Sequence, residues 1–211
     1  MKTDDLIDLL AKDLRPGWPF ARIVSVAALC GVLVAAAVFF SGIGFRSDIP
    51  QALESVRFLF KFVVTITLIV GATGGAIALS RPGVGIERWG WVLAAVPTLL
   101  LCAVGLELIA VPESAWMGQL VGHNARLCLT LIPLLAIGPF VCLFIALRRG
   151  APTKPRLTGA LAGLAASGIA ATFYASYCTD DSPLFLATWY PLATLIVAAV
   201  GYLAGDRLLR W

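Results

Sequence analysis

Charged residues are scarce in this sequence. Asp, Glu, Lys and Arg together make up 13% of its 211 residues, whereas apolar types make up 60% and the mean hydropathy is +0.92. A soluble globular domain contains roughly 25% charged and roughly 45–50% apolar residues. The shortage of charge therefore excludes an ordinary soluble domain and predicts a protein embedded in a lipid bilayer.

Histidine and closely spaced cysteines are also scarce. The chain has one histidine, His123, and none of its five cysteines lies in a C-x-x-C motif. A membrane thiol oxidoreductase would be expected to have that motif, usually with a quinone or haem site, and a zinc site needs several ligands at regular spacing. We therefore predict that the protein is not an enzyme. A membrane thiol-redox protein is kept as an alternative function.

Long apolar runs, by contrast, occur six times. A transmembrane helix needs about 20 consecutive apolar residues, and such runs lie near residues 22–44, 57–80, 89–111, 126–147, 156–176 and 186–205. The predicted fold class is an all-α membrane protein with six transmembrane helices, forming one domain over residues 19–211. The first run follows an acidic segment and lacks a small-residue cleavage site, so we expect no removable signal peptide.

Small residues recur at four-residue spacing in the last two runs. They are Gly159, Gly163 and Ser167 in the fifth run, and Gly201 and Gly205 in the sixth. This spacing allows two helix backbones to approach closely in lipid, although glycine is also generally enriched in membrane helices. Close packing of these two helices is therefore one of two interpretations.

The positions of Lys and Arg predict the orientation. With the N-terminus inside, the inner segments contain twelve Lys and Arg residues and the outer segments four, namely Arg46, Arg57, Lys61 and Arg126. Basic residues concentrate on the cytoplasmic side of a membrane protein. We therefore predict that both termini are cytoplasmic. The formal charge of +4 then reflects topology, and no direct contact with nucleic acid is expected.

The N-terminal segment, residues 1–18, is the longest predicted cytoplasmic feature. Thr3 is a suitable N-cap, and Pro16 and Gly17 end the predicted short amphipathic helix. The residues expected to contact a partner are the first acids and an apolar stripe: Asp4, Asp5, Leu6, Leu9 and Leu10. An acidic, apolar helix suits a basic protein groove better than an anionic lipid surface. An interfacial helix packed under the bundle is the alternative.

Two cysteines are predicted to lie outside the bilayer. Cys30, Cys102 and Cys142 occur within apolar runs, whereas Cys128 and Cys178 occur at the outer ends of the fourth and fifth helices. They could form a structural disulfide or act as a redox- or metal-responsive pair. Copper or another soft or borderline metal is the cofactor considered, with side chains near the two cysteines as further ligands: His123, Met117, Asp180 or Asp181.

Two ionisable residues lie about one turn inside the outer ends of their helices. They are Lys61 in the second run and Glu107 in the third. Charged groups inside a bilayer indicate a functional role by default, but shallow ones can also reach the interface. We expect a structural pair or two independent side chains that extend to the interface. A small transporter, with these as its candidate intramembrane charges, is a further alternative function.

Several separate segments resemble the NrsF-type anti-sigma factors, in the same order and over nearly the whole chain. The segments are MKTDDLIDLLAKDL, NARLCLTLIPLL, LRRGAPTKP, YCTDDSPLF, TWYP and DRLLRW. The resemblance implies a six-helix protein of the bacterial inner membrane that holds an extracytoplasmic-function sigma factor inactive. It also implies that residues 1–18 bind the sigma factor, and that Cys128 and Cys178 are needed for the response to stress, as a metal or redox sensor. On this basis we favour a sensor over a structural disulfide.

Overall fold

The computed structural model describes residues 18–81 and 83–210. The predicted N-terminal helix lies outside the described residues. The same holds for the side chains assigned there to partner binding: Asp4, Asp5, Leu6, Leu9 and Leu10.

The described residues form helices and connecting loops, without strands. The helices are α1 (Phe20–Gly42), α2 (Ile49–Ala52), α3 (Val56–Leu79), α4 (Glu87–Ala110), α5 (Glu113–Val121), α6 (Ala125–Leu147), α7 (Pro155–Tyr177) and α8 (Pro183–Leu208). The six longest are long and apolar enough to cross a membrane. A helix of 23 residues spans about 35 Å, enough for a hydrocarbon core of about 30 Å. The predicted all-α fold is confirmed, and the six predicted apolar runs form these six long helices, with ends within three residues.

Helix α7 lies at the centre of the bundle. It packs against α8, α3 and α6, while α1 packs on α6, and α4 packs on α3 and α8. Helix α7 is the most buried of the six long helices and α4 the least. Its inward positions are mostly Ala and Gly, whose small side chains allow three neighbouring helices to approach it. We call the end of the bundle that contains the start of α6 and the end of α7 the outer end, after the predicted orientation.

Backbone contact between α7 and α8 explains the small residues. A Cβ atom added to Gly159 would collide with the carbonyl oxygen of Gly201, and one added to Gly201 would collide with the carbonyl oxygen of Gly159. Gly205 and Gly163 are similarly crowded by carbonyl oxygens of the facing helix. Close packing of these two helices is therefore confirmed. Any larger side chain at these glycines would force the helices apart.

The segment before α6 contains the short helix α5. This helix is attached to α8 at the outer end, because the indole N–H of Trp189 donates to the carbonyl of Leu120 at 2.8 Å. The Ser182 hydroxyl also donates to Gln119 at 3.0 Å. Nine residues are too few for a helical pattern to stand out in the sequence. This helix was therefore not predicted from the sequence.

Candidate functional site

Two cysteines and a tyrosine form a buried group at the outer end. Cys128 lies in the first turn of α6 and Cys178 directly follows α7, and both side chains are 0% exposed. The Cys178 thiol donates to the main-chain carbonyl of Asp180 at 3.8 Å. The Asp180 carboxylate accepts the N–H of Asn124, whose carbonyl accepts the N–H of Cys128. All five cysteines lie in the described part of the chain, and all five are free thiols there. The structure thus brings together the two cysteines that the sequence assigned to a pair.

Tyr174 connects the two cysteines. It lies one helical turn before Cys178 and donates its hydroxyl hydrogen to the carbonyl of Asn124 at 3.1 Å. The same carbonyl accepts the N–H of Cys128 at 2.8 Å. The ring of Tyr190, also buried, packs against Tyr174 with 5.8 Å between centroids. The sequence analysis missed both tyrosines, although Tyr174 is four residues before Cys178 and therefore on the same face of α7.

Asp180 joins the loop after α7 to the beginning of α6. Its Oδ2 atom accepts the backbone N–H groups of His123 and Asn124, at 3.0 and 2.8 Å, and the Asn124 side-chain amide at 2.9 Å. A carboxylate at a helix N-terminus satisfies unpaired N–H groups and interacts favourably with the helix dipole. Asp180 therefore holds the two cysteine-bearing segments together. From the sequence, Asp180 was considered as a further metal ligand.

Asp181 is bound by two cations from other parts of the chain. Lys61 Nζ lies 2.6 Å from Asp181 Oδ1, and Arg46 Nη1 lies 2.9 Å from Asp181 Oδ2. The same two cations donate to the carbonyl oxygen of Cys178, at 3.0 Å from Lys61 and 3.2 Å from Arg46. We call Lys61, Arg46 and Asp181 the cation clamp. It joins the loop after α7 to α3 and to the loop between α1 and α2.

Arg46 has a further acidic partner, Asp48, with Nε 2.6 Å from Oδ1. Hydrogen bonding to Asp48 raises the pKa of Arg46 above its ordinary value, and the guanidinium lowers the pKa of Asp48. Arg46 is therefore a permanent cation in the clamp. The sequence analysis noted Arg46 only as an outer basic residue and did not consider Asp48.

The Cys178 thiol is shielded from solvent. Burial raises the pKa of Cys178 above its ordinary value, and the positive charge of Lys61 opposes this rise. A thiol is a much weaker nucleophile and metal ligand than a thiolate. In the arrangement observed, Cys178 is therefore protected rather than reactive.

The residues considered for a metal do not fit one in this arrangement. Within the ranges 18–81 and 83–210, no three or more His, Cys, Asp or Glu side chains are grouped to hold a metal ion. His123 is 95% exposed, with Nδ1 3.6 Å from Asp180, while the two thiols are buried. The carboxylates of Asp180 and Asp181 are occupied by N–H donors and cations, and Met117 is exposed.

Lys61 and Glu107 do not pair with each other. Lys61 is 0% exposed and binds Asp181, whereas Glu107 Oε2 lies 2.9 Å from Arg57 Nη2. The expectation of a Lys61–Glu107 pair was wrong, because each side chain finds a partner of opposite charge elsewhere at the outer end. Full burial also rules out the alternative of Lys61 extending to the water interface. Each charge is neutralised locally, which does not favour the alternative of a transport path.

The architecture and the thiol site together indicate the class of protein to which this chain belongs. Six membrane-length helices, with a buried thiol pair at one end and the first and last helix termini at the other, indicate a multi-pass membrane protein. The NrsF family, described as negative regulator of sigma F, matches residues 10–211. The chain belongs to this family, which confirms the resemblance found in the sequence.

Two full-length relatives agree with this assignment. The chain is 37% identical to the anti-sigma-F factor NrsF of Caulobacter vibrioides, over 100% of both chains. It is 32% identical to the probable anti-sigma-F factor NrsF of Azospira oryzae, again over 100% of both chains. No solved structure matches the chain.

Proposed function

We propose that this protein is a membrane anti-sigma factor that holds an extracytoplasmic-function sigma factor inactive at the bacterial inner membrane. On a signal in the outer compartment, reported by Cys128 and Cys178, it releases the sigma factor. Family membership supports the regulatory role, and six membrane-length helices support the location. The observation that supports signal detection is the burial of two free thiols together at the outer end.

The partner in the cytoplasm is the sigma factor, and DNA is not contacted directly. Residues 1–18 are the proposed binding segment, through the acids Asp4 and Asp5 and the stripe Leu6, Leu9 and Leu10. A sigma factor is a basic, DNA-binding protein, so an acidic and apolar segment is complementary to it in charge. Binding would place the sigma factor at the membrane and away from the promoters it recognises.

The signal is proposed to be a thiol-directed reagent in the outer compartment. A peroxide is one chemical class that fits, because it accepts two electrons from two thiols: a disulfide forms between Cys128 and Cys178, and hydrogen peroxide is reduced to two molecules of water. A soft metal ion is the other class. The free thiols that both require are present, but a metal site would require rearrangement of the site observed.

Co-purification with the sigma factor tests the proposal. The full-length protein and the sigma factor are expressed together, solubilised in mild detergent, and recovered through a tag on the membrane protein. We expect recovery of the sigma factor under reducing conditions and its loss after treatment with peroxide or copper ions. Failure to recover the sigma factor from the reduced protein would contradict the anti-sigma role. Recovery unaffected by both reagents would contradict the thiol signal.

A further inference from the structure

The loop that follows α7 contacts both cysteine-bearing segments. The Cys178 thiol donates to the main-chain carbonyl of Asp180 at 3.8 Å, and the Asp180 carboxylate binds the start of α6, which carries Cys128. Both thiols are 0% exposed, although any reagent from the outer compartment must reach them. This loop runs from Cys178 to Asp181, with Thr179 exposed and the Asp181 side chain 20% exposed. An outer cavity of about 480 Å³ is lined by Thr179, Asp180 and Asp181. Access to Cys178 therefore requires this loop to move relative to the bundle.

The cation clamp holds this loop against the rest of the bundle. Lys61 and Arg46 each bind the Asp181 carboxylate and also the main-chain carbonyl of Cys178. These contacts act on the backbone of the cysteine itself, so they determine where its thiol lies. The two cations come from different elements, α3 and the loop between α1 and α2. The position of Cys178 thus depends on three separate parts of the bundle.

The surroundings of Lys61 explain why the clamp can open. A buried ammonium is stable only while an opposite charge and hydrogen-bond acceptors replace its water. Lys61 is in the second turn of α3, close to the outer end, so lifting the loop would expose both Lys61 and Asp181 to solvent. Rehydration of the two charges would offset the loss of their contact. Such a balance is typical of a segment that opens locally without unfolding the protein.

We propose that Lys61 and Arg46 are positioning residues of the thiol site, which hold the Cys178–Asp181 loop closed over Cys128 and Cys178. Release of Asp181 from the two cations is the opening that makes Cys178 accessible to reagents from the outer cavity. The significance of this opening for signalling rests on the proposed function, whereas the protection of the thiols does not. Lys61 is on α3, which packs along α7. Opening therefore also breaks the contact between α3 and the loop that follows α7, and both α3 and α7 reach the inner end.

The rate of thiol labelling tests this proposal. The full-length protein, with Cys30, Cys102 and Cys142 replaced by alanine, is reconstituted in lipid vesicles and treated with a membrane-impermeant maleimide. Modification of Cys178 is followed by mass spectrometry in the otherwise unchanged protein and in Lys61→Met, Lys61→Arg and Asp181→Asn. Arg126→Met is the control, since Arg126 is also an outer cation but is exposed at the start of α6.

We expect Lys61→Met and Asp181→Asn to label about tenfold faster or more, the change that about 1.4 kcal/mol produces in an opening equilibrium. Lys61→Arg, which keeps the charge, should restore slow labelling, and Arg126→Met should leave the rate unchanged. Thermal unfolding of each variant shows that it is folded. Labelling of folded Lys61→Met at the unchanged rate would overturn the role of Lys61, and the same result for Asp181→Asn would overturn the clamp altogether. Fast labelling combined with a stress-insensitive sigma reporter would instead contradict the proposed function and leave the clamp intact.

Discussion

At the scale of single residues, the thiol pair is specified by where the two cysteines lie. Cys128 and Cys178 are both buried at the outer end of the bundle, whereas Cys30 and Cys102 are exposed on the surface of the helices and Cys142 is half-buried. Cysteine on an apolar helix surface behaves as a small hydrophobic residue. The two groups of cysteines therefore have different expected roles, which substitutions can separate.

We predict that Cys128→Ser, Cys178→Ser and the double variant share one phenotype. If the two thiols act together, removing either one abolishes the response, and removing the second has no additional effect. The measurement is a sigma-dependent transcriptional reporter, with and without peroxide or copper stress. Cys30→Ser is the control and should respond normally. A wild-type response from either outer single variant would show that the cysteines do not act as a pair.

Asp180 is predicted to stabilise the outer end through its contacts with the start of α6. Asp180→Asn keeps the shape but removes the charge at the helix N-terminus, so we expect a loss of about 1–2 kcal/mol. Thermal unfolding in detergent measures the effect. Glu54→Gln, at an exposed outer position, serves as the control and should be neutral. Equal melting temperatures for the two variants would show that the Asp180 contacts contribute little.

At the scale of elements, the close contact between α7 and α8 requires glycine at the positions where the two backbones meet. Some glycines elsewhere in the bundle are not required for packing. A Cβ atom at Gly159 would meet the backbone of α8, whereas nothing lies within 4 Å of a Cβ atom at Gly105 on α4. The same substitution at these two positions should therefore have opposite effects on stability.

Gly159→Ala is predicted to destabilise the protein by about 1–3 kcal/mol, because the two helices must separate to accommodate the methyl group. Gly105→Ala should be neutral or stabilise by up to about 1 kcal/mol, since alanine restricts the unfolded chain and favours a helix. Melting temperatures in one detergent compare the two variants. If Gly159→Ala were as stable as Gly105→Ala, the close contact would not exist in the protein.

The N-terminal segment is the element predicted to bind the sigma factor. Burial of a leucine side chain contributes about 1.5–3 kcal/mol, so Leu6→Asp together with Leu10→Asp should abolish capture. The experiment is recovery of the sigma factor with the solubilised full-length protein. Lys12→Ala, outside the leucine stripe, is the control and should retain capture. Undiminished capture by the double variant, with the protein still in the membrane, would assign binding to another surface.

At the scale of the whole molecule, ion pairs join distant segments at the outer end. Lys61 and Asp181 are 120 residues apart in the chain, and Arg57 and Glu107 are 50 apart. A buried charge that loses its partner is more destabilising than removal of both partners. We therefore expect the two ion pairs to contribute independently to the free energy of unfolding.

Removing one partner of a buried ion pair lowers the free energy of unfolding by about 3–5 kcal/mol. Asp181→Asn is predicted to fall at the lower end of this range, because Lys61 keeps its contact with the Cys178 carbonyl. Adding Lys61→Met to Asp181→Asn should restore part of that loss. The corresponding cycle for Lys61→Met and Glu107→Gln should be additive. Unfolding free energies in detergent provide the coupling terms. Coupling between Lys61 and Glu107, or its absence between Lys61 and Asp181, would contradict the observed pairing.

The six long helices and the family were predictable from the sequence alone, because both depend on local information. In a bilayer every backbone polar group must be satisfied within the chain, so an apolar run of sufficient length has to form a helix. The crowding of Gly159 and Gly201 was also indicated by their spacing, since residues four apart share a helix face.

Only the tertiary structure decided the partners of the polar side chains. Lys61 was expected beside Glu107 because both were predicted at similar depth, but depth does not specify how each helix is rotated or which loop crosses above it. Asp181 reaches Lys61, and Asp180 reaches the start of α6, because the loop after α7 folds over the end of the bundle. Such contacts depend on the packing of all six helices at once. Sequence therefore determined which segments cross the membrane and where the thiols lie along them, while three-dimensional packing determined which charges hold those thiols in place.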